Sequence, residues 1–202
     1  MNATLKKNPL IIVLIMVSFI IHFTFLGYPK EVVFDEVHFG KFVSSYFSHQ
    51  YYFDIHPPLG KLMIAGFAKI SGFNAKFNFN HIGENLDAKN LFILRFLPAL
   101  FGLLLPLIIY MLLKKMGLSV RGAFLGAFLT IFDNALLVQS KFILLDIFLL
   151  FFGFSALYFF LKQRDEKNNR KKWTYIVLSS ILGACAFSIK WTGLLFFGII
   201  RD

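Results

Sequence analysis

Apolar residues run from Pro9 to Leu26 with a single histidine among them, a stretch of about 18 positions, close to the ~20 that cross a bilayer. Its start is basic, as in a signal peptide, but no small-residue cleavage site follows, so it reads as a retained anchor. Further apolar runs cover 91–113, broken by Pro98 and Pro106, then 122–139, 142–161 and 173–189, and a sixth begins at 193–200. Between them, 27–90 follows another rhythm. Phe39, Phe42, Val43, Tyr46 and Phe47 recur at helical spacing and predict an amphipathic helix starting near Asp35, suited to the membrane interface. Pro57 and Pro58 suit the start of a second helix running to about Ile70; ~13 residues give roughly 20 Å, too short to span. Ser71 to Asn90 is polar, carries Gly72 and Gly83, and reads as a surface loop. The pattern predicts an all-α multi-pass membrane protein, one transmembrane bundle with interfacial helices in a first external loop. Five spans and the start of a sixth read as a truncated whole.

Composition agrees. Apolar residues make up 57% of the 202, where a soluble domain holds about 45–50%. The net charge of +10 would fit a nucleic-acid binder, but its distribution excludes one. The excess sits in short segments between spans: Lys6 and Lys7; Lys114, Lys115 and Arg121; and Lys162 to Lys172. Between Gly27 and Asn90, six lysines meet six acids. The positive-inside rule explains this without a polyanionic partner and puts 27–90 on the outer face. The lone cysteine, Cys185, lies in an apolar run and reads as a packing residue.

The candidate chemistry lies in that external loop. Asp35 and Glu36 stand together at a helix start, where the dipole stabilises anions. They are either an N-cap pair or a general base with a neighbour that orients it or pairs with a cation. Arg95, in the outer part of an apolar span, is either a snorkelling arginine or a forked partner for a carboxylate or phosphate. Asp54, His56 and Lys61 share a turn stiffened by two prolines, with an ion pair and helix cap as the plain reading. His38, His49, His56 and His81 lack a compact ligand spacing, so no metal is expected. Asp133, Gln139, Lys141, Asp146 and Lys190 fall near outer span ends, lining a shared cavity or pairing with one another. Trp173 and Trp191 read as interface anchors.

Six blocks, in order, carry a resemblance: Phe34-Asp35-Glu36-Val37-His38-Phe39-Gly40; His56-Pro57-Pro58-Leu59-Gly60-Lys61; Leu94-Arg95-Phe96-Leu97-Pro98-Ala99; Phe132-Asp133-Asn134-Ala135-Leu136 with Gln139-Ser140; Ile143-Leu144-Leu145-Asp146; and Lys190-Trp191-Thr192-Gly193. Together they resemble the protein O-mannosyltransferases, membrane enzymes of the GT-C fold. The resemblance implies a polyprenyl-phosphate (dolichyl-phosphate-like) mannose donor and Ser or Thr hydroxyls of secreted or membrane proteins as acceptors; the lipid-linked sugar is a substrate, no cofactor is firmly implied, and a divalent metal stays an alternative. It implies Asp35 as base and Glu36 as its essential neighbour. It makes Arg95 a contact to donor phosphate or acid pair, and puts Asp54 in the acceptor groove; His38, His56 and Lys61 beside it are further groove candidates. Asp133, Asp146 and Lys190 are secondary candidates. The reaction implied is one inverting displacement.

Two other readings stay open: a related transferase acting on a lipid or glycan, and a truncated, non-catalytic membrane subunit. Family members continue through further spans, and eukaryotic ones add a luminal domain. Its absence and the short N-terminus favour a prokaryotic plasma membrane over the endoplasmic reticulum. Oligomeric state is not legible, a dimer being one option.

Overall fold

A computed structural model describes residues 9–75, 77 and 79–201. Lys6 and Lys7 lie outside the described residues. Helix α1 (Pro9–Phe23) stops three residues short of the expected span. The chain then turns through Phe25, at a positive φ of 57°. That turn brings the Leu26 and Pro29 carbonyls beside Arg95, a placement that a helix continuing to Leu26 would deny.

Helices α2 (Glu36–Ser48) and α3 (Leu59–Ile70) follow where the external loop predicted them. The apolar face of α2 is spent on the protein's own core: Phe39 and Val43 join Ile64 and Ala68 of α3 and Leu91 and Leu94 further along. The 71–90 segment is less of a surface loop than its polar composition implied. Phe73, Phe79 and Leu86 are buried, and a Cβ on Gly40 would lie 2.4 Å from the Phe79 ring. An isolated antiparallel bridge, Glu31 to Asn85, fastens the loop's far end to the entry of α2.

Helix α4 (Ala88–Lys115) runs 28 residues straight through Pro98 and Pro106, not broken as the sequence indicated. Apolar helices tolerate proline where neighbouring elements and local adjustment satisfy the freed backbone groups. Asp87 starts it by accepting a hydrogen bond from the Asn90 N–H at 3.0 Å. The run 122–139 is not one helix. It divides into α5 (Val120–Ile131) and α6 (Asn134–Lys141), bent by 59° at Asp133. Helix α7 (Asp146–Arg164) begins four residues later than expected, because Phe142–Leu145 stays irregular to reach the site below. Helix α8 (Asn169–Phe187), a 3₁₀ turn (Trp191–Gly193) and α9 (Leu194–Arg201) follow as the last described elements.

By length and composition α4 and α7 suffice to cross a membrane; the α5–α6 pair is long and apolar enough only when its two bent halves are taken together, as a broken span or a re-entrant loop, and α1 is apolar but 15 residues long. Central α4 touches α1, α3, α5, α6 and α7. Gly102 lets α1 and α6 pack close against α4: a Cβ there would stand 2.5 Å from His22 of α1 and 2.4 Å from Ser140 of α6. Both α4 and α7 run from the acidic end, at Asp87 and Asp146, to a basic end at Lys115 and Arg164. There Lys115 pairs with Asp165. The two cores, one under α2 and α3 and one between α1, α4 and α5, lie toward opposite ends of α4.

Candidate active site

Adjacent residues at a helix start point about 100° apart around its axis, so Asp35 and Glu36 cannot face the same way. Glu36 points inward and is fully buried; Asp35 is half-buried and faces a cleft. The chain enters α2 through Phe34, held at φ 49°, a conformation that costs a bulky residue about 1–3 kcal/mol. Glu36 secures it by accepting from the Val33 N–H at 3.0 Å.

Arg95 meets Glu36 at the bottom. Its Nε donates to Oε1 and its Nη2 to Oε2, both at 2.8 Å, and both side chains are fully buried. The other three guanidinium hydrogens go to the carbonyls of Leu26 at 3.4 Å, Pro29 at 3.0 Å and Glu31 at 3.1 Å. All five donors are thus used. The Phe142 ring covers one face of the guanidinium at 4.9 Å. Glu36 is saturated too: Oε1 also accepts from the Ile143 N–H at 3.0 Å. One ion pair therefore ties the α1–α2 connection, α4 and the irregular segment before α7. Arg95 keeps no hydrogen for a donor phosphate, and Glu36 no lone pair facing the cleft. Of the two contacts left open for Arg95, the structure shows the one to the acid pair, through Glu36, which is the neighbour of Asp35 held by that cation. The sequence allowed the acid pair as a partner for Arg95 but could not choose, because the three carbonyls come from a turn without regular pattern.

The cleft above holds about 290 Å³ and is lined by Asp35, His38, Phe39, Phe42 and the 53–56 turn. Among the described residues the Asp35 carboxylate has no hydrogen-bonding or ion-pair partner. Asp54 does: it pairs with the buried Lys61 Nζ and accepts from the His56 N–H at 3.1 Å. Lys61 also donates to the His56 carbonyl at 2.9 Å and sits 5.3 Å from the Phe42 ring centre. The expected turn is thus assembled, with Lys61 as its internal clamp. His56 is half-buried and its Nδ1 is enclosed without a partner among the described residues. Burial, then the Lys190 charge, pushes its imidazole below the ordinary histidine range, against the opposing pull of Asp54; Lys61 adds to the lowering and Asp146 opposes it. His38 is exposed at the rim.

Of the secondary candidates, two join this cluster. Lys190 donates to both carboxylate oxygens of Asp146, at 2.7 and 2.8 Å, and both are partly exposed. Trp191 next to it donates from Nε1 to the Ile55 carbonyl at 2.7 Å, and the Leu59 N–H bonds the Ser188 carbonyl at 3.0 Å. The end of α8 is thereby fixed against the proline turn, so Trp191 is more than an interface anchor. Gly193 allows it: a Cβ there would meet the backbone of Ala186 and Phe187 at about 2.5 Å. Asp133 is set apart as the N-cap of α6, accepting from the Leu136 N–H at 2.9 Å. Lys141 likewise serves structure, donating to the Thr24 carbonyl at 2.8 Å. No group of three or more His, Cys, Asp or Glu among the described residues is arranged to hold a metal ion.

The fold and site define a helical membrane protein of the GT-C class, with an acidic cleft at the end opposite its basic loops. Over residues 12–201 the chain matches the family described as dolichyl-phosphate-mannose-protein mannosyltransferase, and it belongs to that family. It is 38% identical over 194 residues to dolichyl-phosphate-mannose–protein mannosyltransferase 4 of Schizosaccharomyces pombe, covering 93% of this chain and 25% of that protein. To protein O-mannosyltransferase 1 of Drosophila melanogaster it is 36% identical, covering 92% and 21%. The chain spans about a quarter of the length of the curated relatives it matches. Among solved structures it superposes on the Saccharomyces cerevisiae Pmt1-Pmt2 complex bound to the sugar donor, with a TM-score of 0.90 and 35% identity over 97% of this chain and 27% of that one. An Archaeoglobus fulgidus oligosaccharyltransferase, 15% identical, shares the fold at a TM-score of 0.70, over 93% of this chain and 24% of that one.

Proposed function

We propose that this chain carries the catalytic cleft of a protein O-mannosyltransferase, moving mannose from a dolichyl-phosphate-like polyprenyl donor to Ser or Thr hydroxyls. The observation that carries the reading is the division of the acid pair. Glu36 is locked into Arg95, while Asp35, one position earlier, faces the cleft with no partner among the described residues. An unpaired carboxylate beside an open cleft is placed to take a proton from an acceptor hydroxyl. As the proton passes to Asp35, the hydroxyl oxygen bonds to the anomeric carbon, the carbon–oxygen bond to phosphate breaks, and the lipid phosphate leaves with its electron pair. The configuration inverts. Phosphate is a good leaving group, so no second acid has to protonate it, unlike the paired carboxyls of glycoside hydrolysis.

Its negative charge still needs a cation. With Arg95 saturated and Lys61 buried against Asp54, Lys190 is, among the described residues of these ion pairs at the cluster, the partly exposed cation. It takes the phosphate role in this reading. Transfer occurs on the face opposite the basic loops, in a multi-pass membrane protein. The named relatives come from yeasts and flies and give the prokaryotic plasma membrane no support over the endoplasmic reticulum. The solved yeast relative is a complex of two proteins, and a dimer is the assembly proposed here. The test is Asp35→Asn, with lipid-linked mannose and a Thr peptide. Transfer should fall about 10²–10⁴-fold while thermal stability holds. Retained transfer would remove Asp35 as the base.

A further inference from the structure

The start of α8, remote in sequence from the acidic cleft, carries charge that the protein does not use. Among the described residues the side chains of Lys167, Arg170, Lys171 and Lys172 make no hydrogen bond or ion pair, and all four are exposed. Other cations of this face are spent on the protein itself. Lys114 donates to the Leu118 carbonyl at 3.1 Å, Lys115 pairs with Asp165, and the Lys162 ammonium lies 4.6 Å from the Tyr175 ring centre. The Glu166 carboxylate is turned onto the Asn168 N–H at 3.0 Å. The positive-inside rule accounts for the sign of this face. It does not account for a hollow beside the unused cations.

That hollow holds about 500 Å³ and is lined by Arg170, Trp173, Thr174, Val177 and Leu178. These are positions i, i+3, i+4, i+7 and i+8 of one helix, a single stripe. Helix α8 packs on α7 from another side, where the buried Ser179 donates to the Ala156 carbonyl at 2.9 Å. The Thr174 hydroxyl is turned back on the Arg170 carbonyl at 3.0 Å, which leaves the guanidinium as the polar group of the stripe. Beyond it Trp173, Val177 and Ile181 are all more than half exposed. From Arg170 to Ile181 the helix rises about 16 Å, close to the ~15 Å of hydrocarbon in one leaflet. A cation at the head of an apolar stripe one leaflet long matches the layout of a glycerophospholipid. The charge selects an anionic headgroup, since a zwitterionic one adds its own cation to a face already in excess. A packed helix from another protein would cover the stripe and leave the four cations unanswered.

We propose that this face of α8 seats an anionic glycerophospholipid of the leaflet on the basic side, its phosphate at Arg170 and an acyl chain along Trp173, Val177 and Leu178. The acidic cleft involves the chain beyond the other end of α8, at Lys190 and Trp191, so the lipid site does not depend on the reaction proposed there.

The experiment places the protein in phosphatidylcholine nanodiscs doped with a small, fixed fraction of dibrominated phosphatidylserine or dibrominated phosphatidylcholine. Bromines on an acyl chain quench tryptophan on contact, and the part of the signal missing from Trp173→Phe belongs to Trp173. Per lipid, the brominated phosphatidylserine should quench Trp173 about tenfold more effectively, the worth of a hydrogen bond to a charged group. Arg170→Gln should lose most of that preference, whereas Lys167→Gln, which removes the same charge from a residue outside the hollow, should keep it. Equal quenching by the two lipids in the wild-type protein would overturn the site without reference to any variant. Equal losses in R170Q and K167Q would overturn it as well, leaving only diffuse attraction. So would loss of the preference to excess soluble glycerophosphoserine, which marks a headgroup site that needs no lipid. Failure of both lipids to quench Trp173 would show the stripe covered by protein and the proposal wrong.

Discussion

Replacing Arg95 by Ala separates two roles that arginine could have, and the structure fixes what each would look like. Five hydrogen bonds are lost, two to Glu36 and three to the carbonyls of Leu26, Pro29 and Glu31. Glu36 is left fully buried and charged, with only the Val33 and Ile143 N–H groups beside it. Breaking a buried pair from one side costs about 3–5 kcal/mol, against a total stability of about 5–15 kcal/mol. Glu36→Gln strands the guanidinium instead and falls in the same range. The double variant E36Q/R95A strands neither charge, so its loss should fall short of the summed single losses by about 2 kcal/mol or more. It does not return to wild type, because the Val33 and Ile143 N–H groups and three carbonyls still lose charged partners. Thermal unfolding in detergent, monitored by Trp191 and Trp173 fluorescence, gives the cycle, and donor KM is read on the fraction that stays folded. A phosphate contact predicts the opposite pattern: normal unfolding with a raised donor KM. Unchanged thermal stability in R95A, or strictly additive single losses, would refute the argument.

Three further outcomes follow from the same geometry. Lys190→Met should raise donor KM about tenfold or more, the scale of a hydrogen bond to a charged group, whereas Asp146→Asn, which frees the ammonium, should not; equal effects would take the phosphate away from Lys190. Burial holds the His56 pKa below its unfolded value, so between the two values the unfolded chain binds more protons and stability rises with pH. That contribution is complete above the ordinary histidine pKa of about 6.5 and is lost as pH falls through the lower native value; wild-type thermal stability should drop over this window and that of His56→Asn should stay flatter. Gly193→Ala drives a Cβ into the Ala186 and Phe187 backbone and should cost about 1–3 kcal/mol while changing Trp191 emission, since the Ile55 contact shifts with it; an unaltered spectrum and stability would show the turn has room.

Periodicity carried what periodicity encodes. The helical spacing of Phe39, Val43, Tyr46 and Phe47 placed α2, and the two prolines placed the start of α3, because both signals are local. Span ends were poorly legible for a physical reason: they are set by polar groups reaching across the fold. Phe142–Leu145 is as apolar as a helix yet stays irregular, and the Ile143 N–H goes to Glu36 instead of into the helix. Asp133 was read as lining a shared cavity or pairing with a neighbouring cation and is a cap, a role that its place before Asn134-Ala135-Leu136 could have signalled. The 71–90 segment was hidden by its composition, since its burial rests on Phe73, Phe79 and Leu86, and Phe79 fits where Gly40 leaves space.

The acid pair shows why motif and mechanism part company at single residues. Read along the chain, Asp35 and Glu36 are equivalent: same charge, same helix start, same dipole. The turn of the helix makes them different, by sending one side chain under α4 and the other into the cleft. A buried carboxylate that holds three segments together has no lone pair left for chemistry, yet removing it should abolish activity as surely as removing the base. Loss of function at Glu36 or Arg95 therefore says nothing about proton transfer or phosphate binding unless stability is measured beside it. Asp35 makes the converse case. With no partner among the described residues, its replacement should leave folding intact, so only there does a lost rate report on the reaction itself.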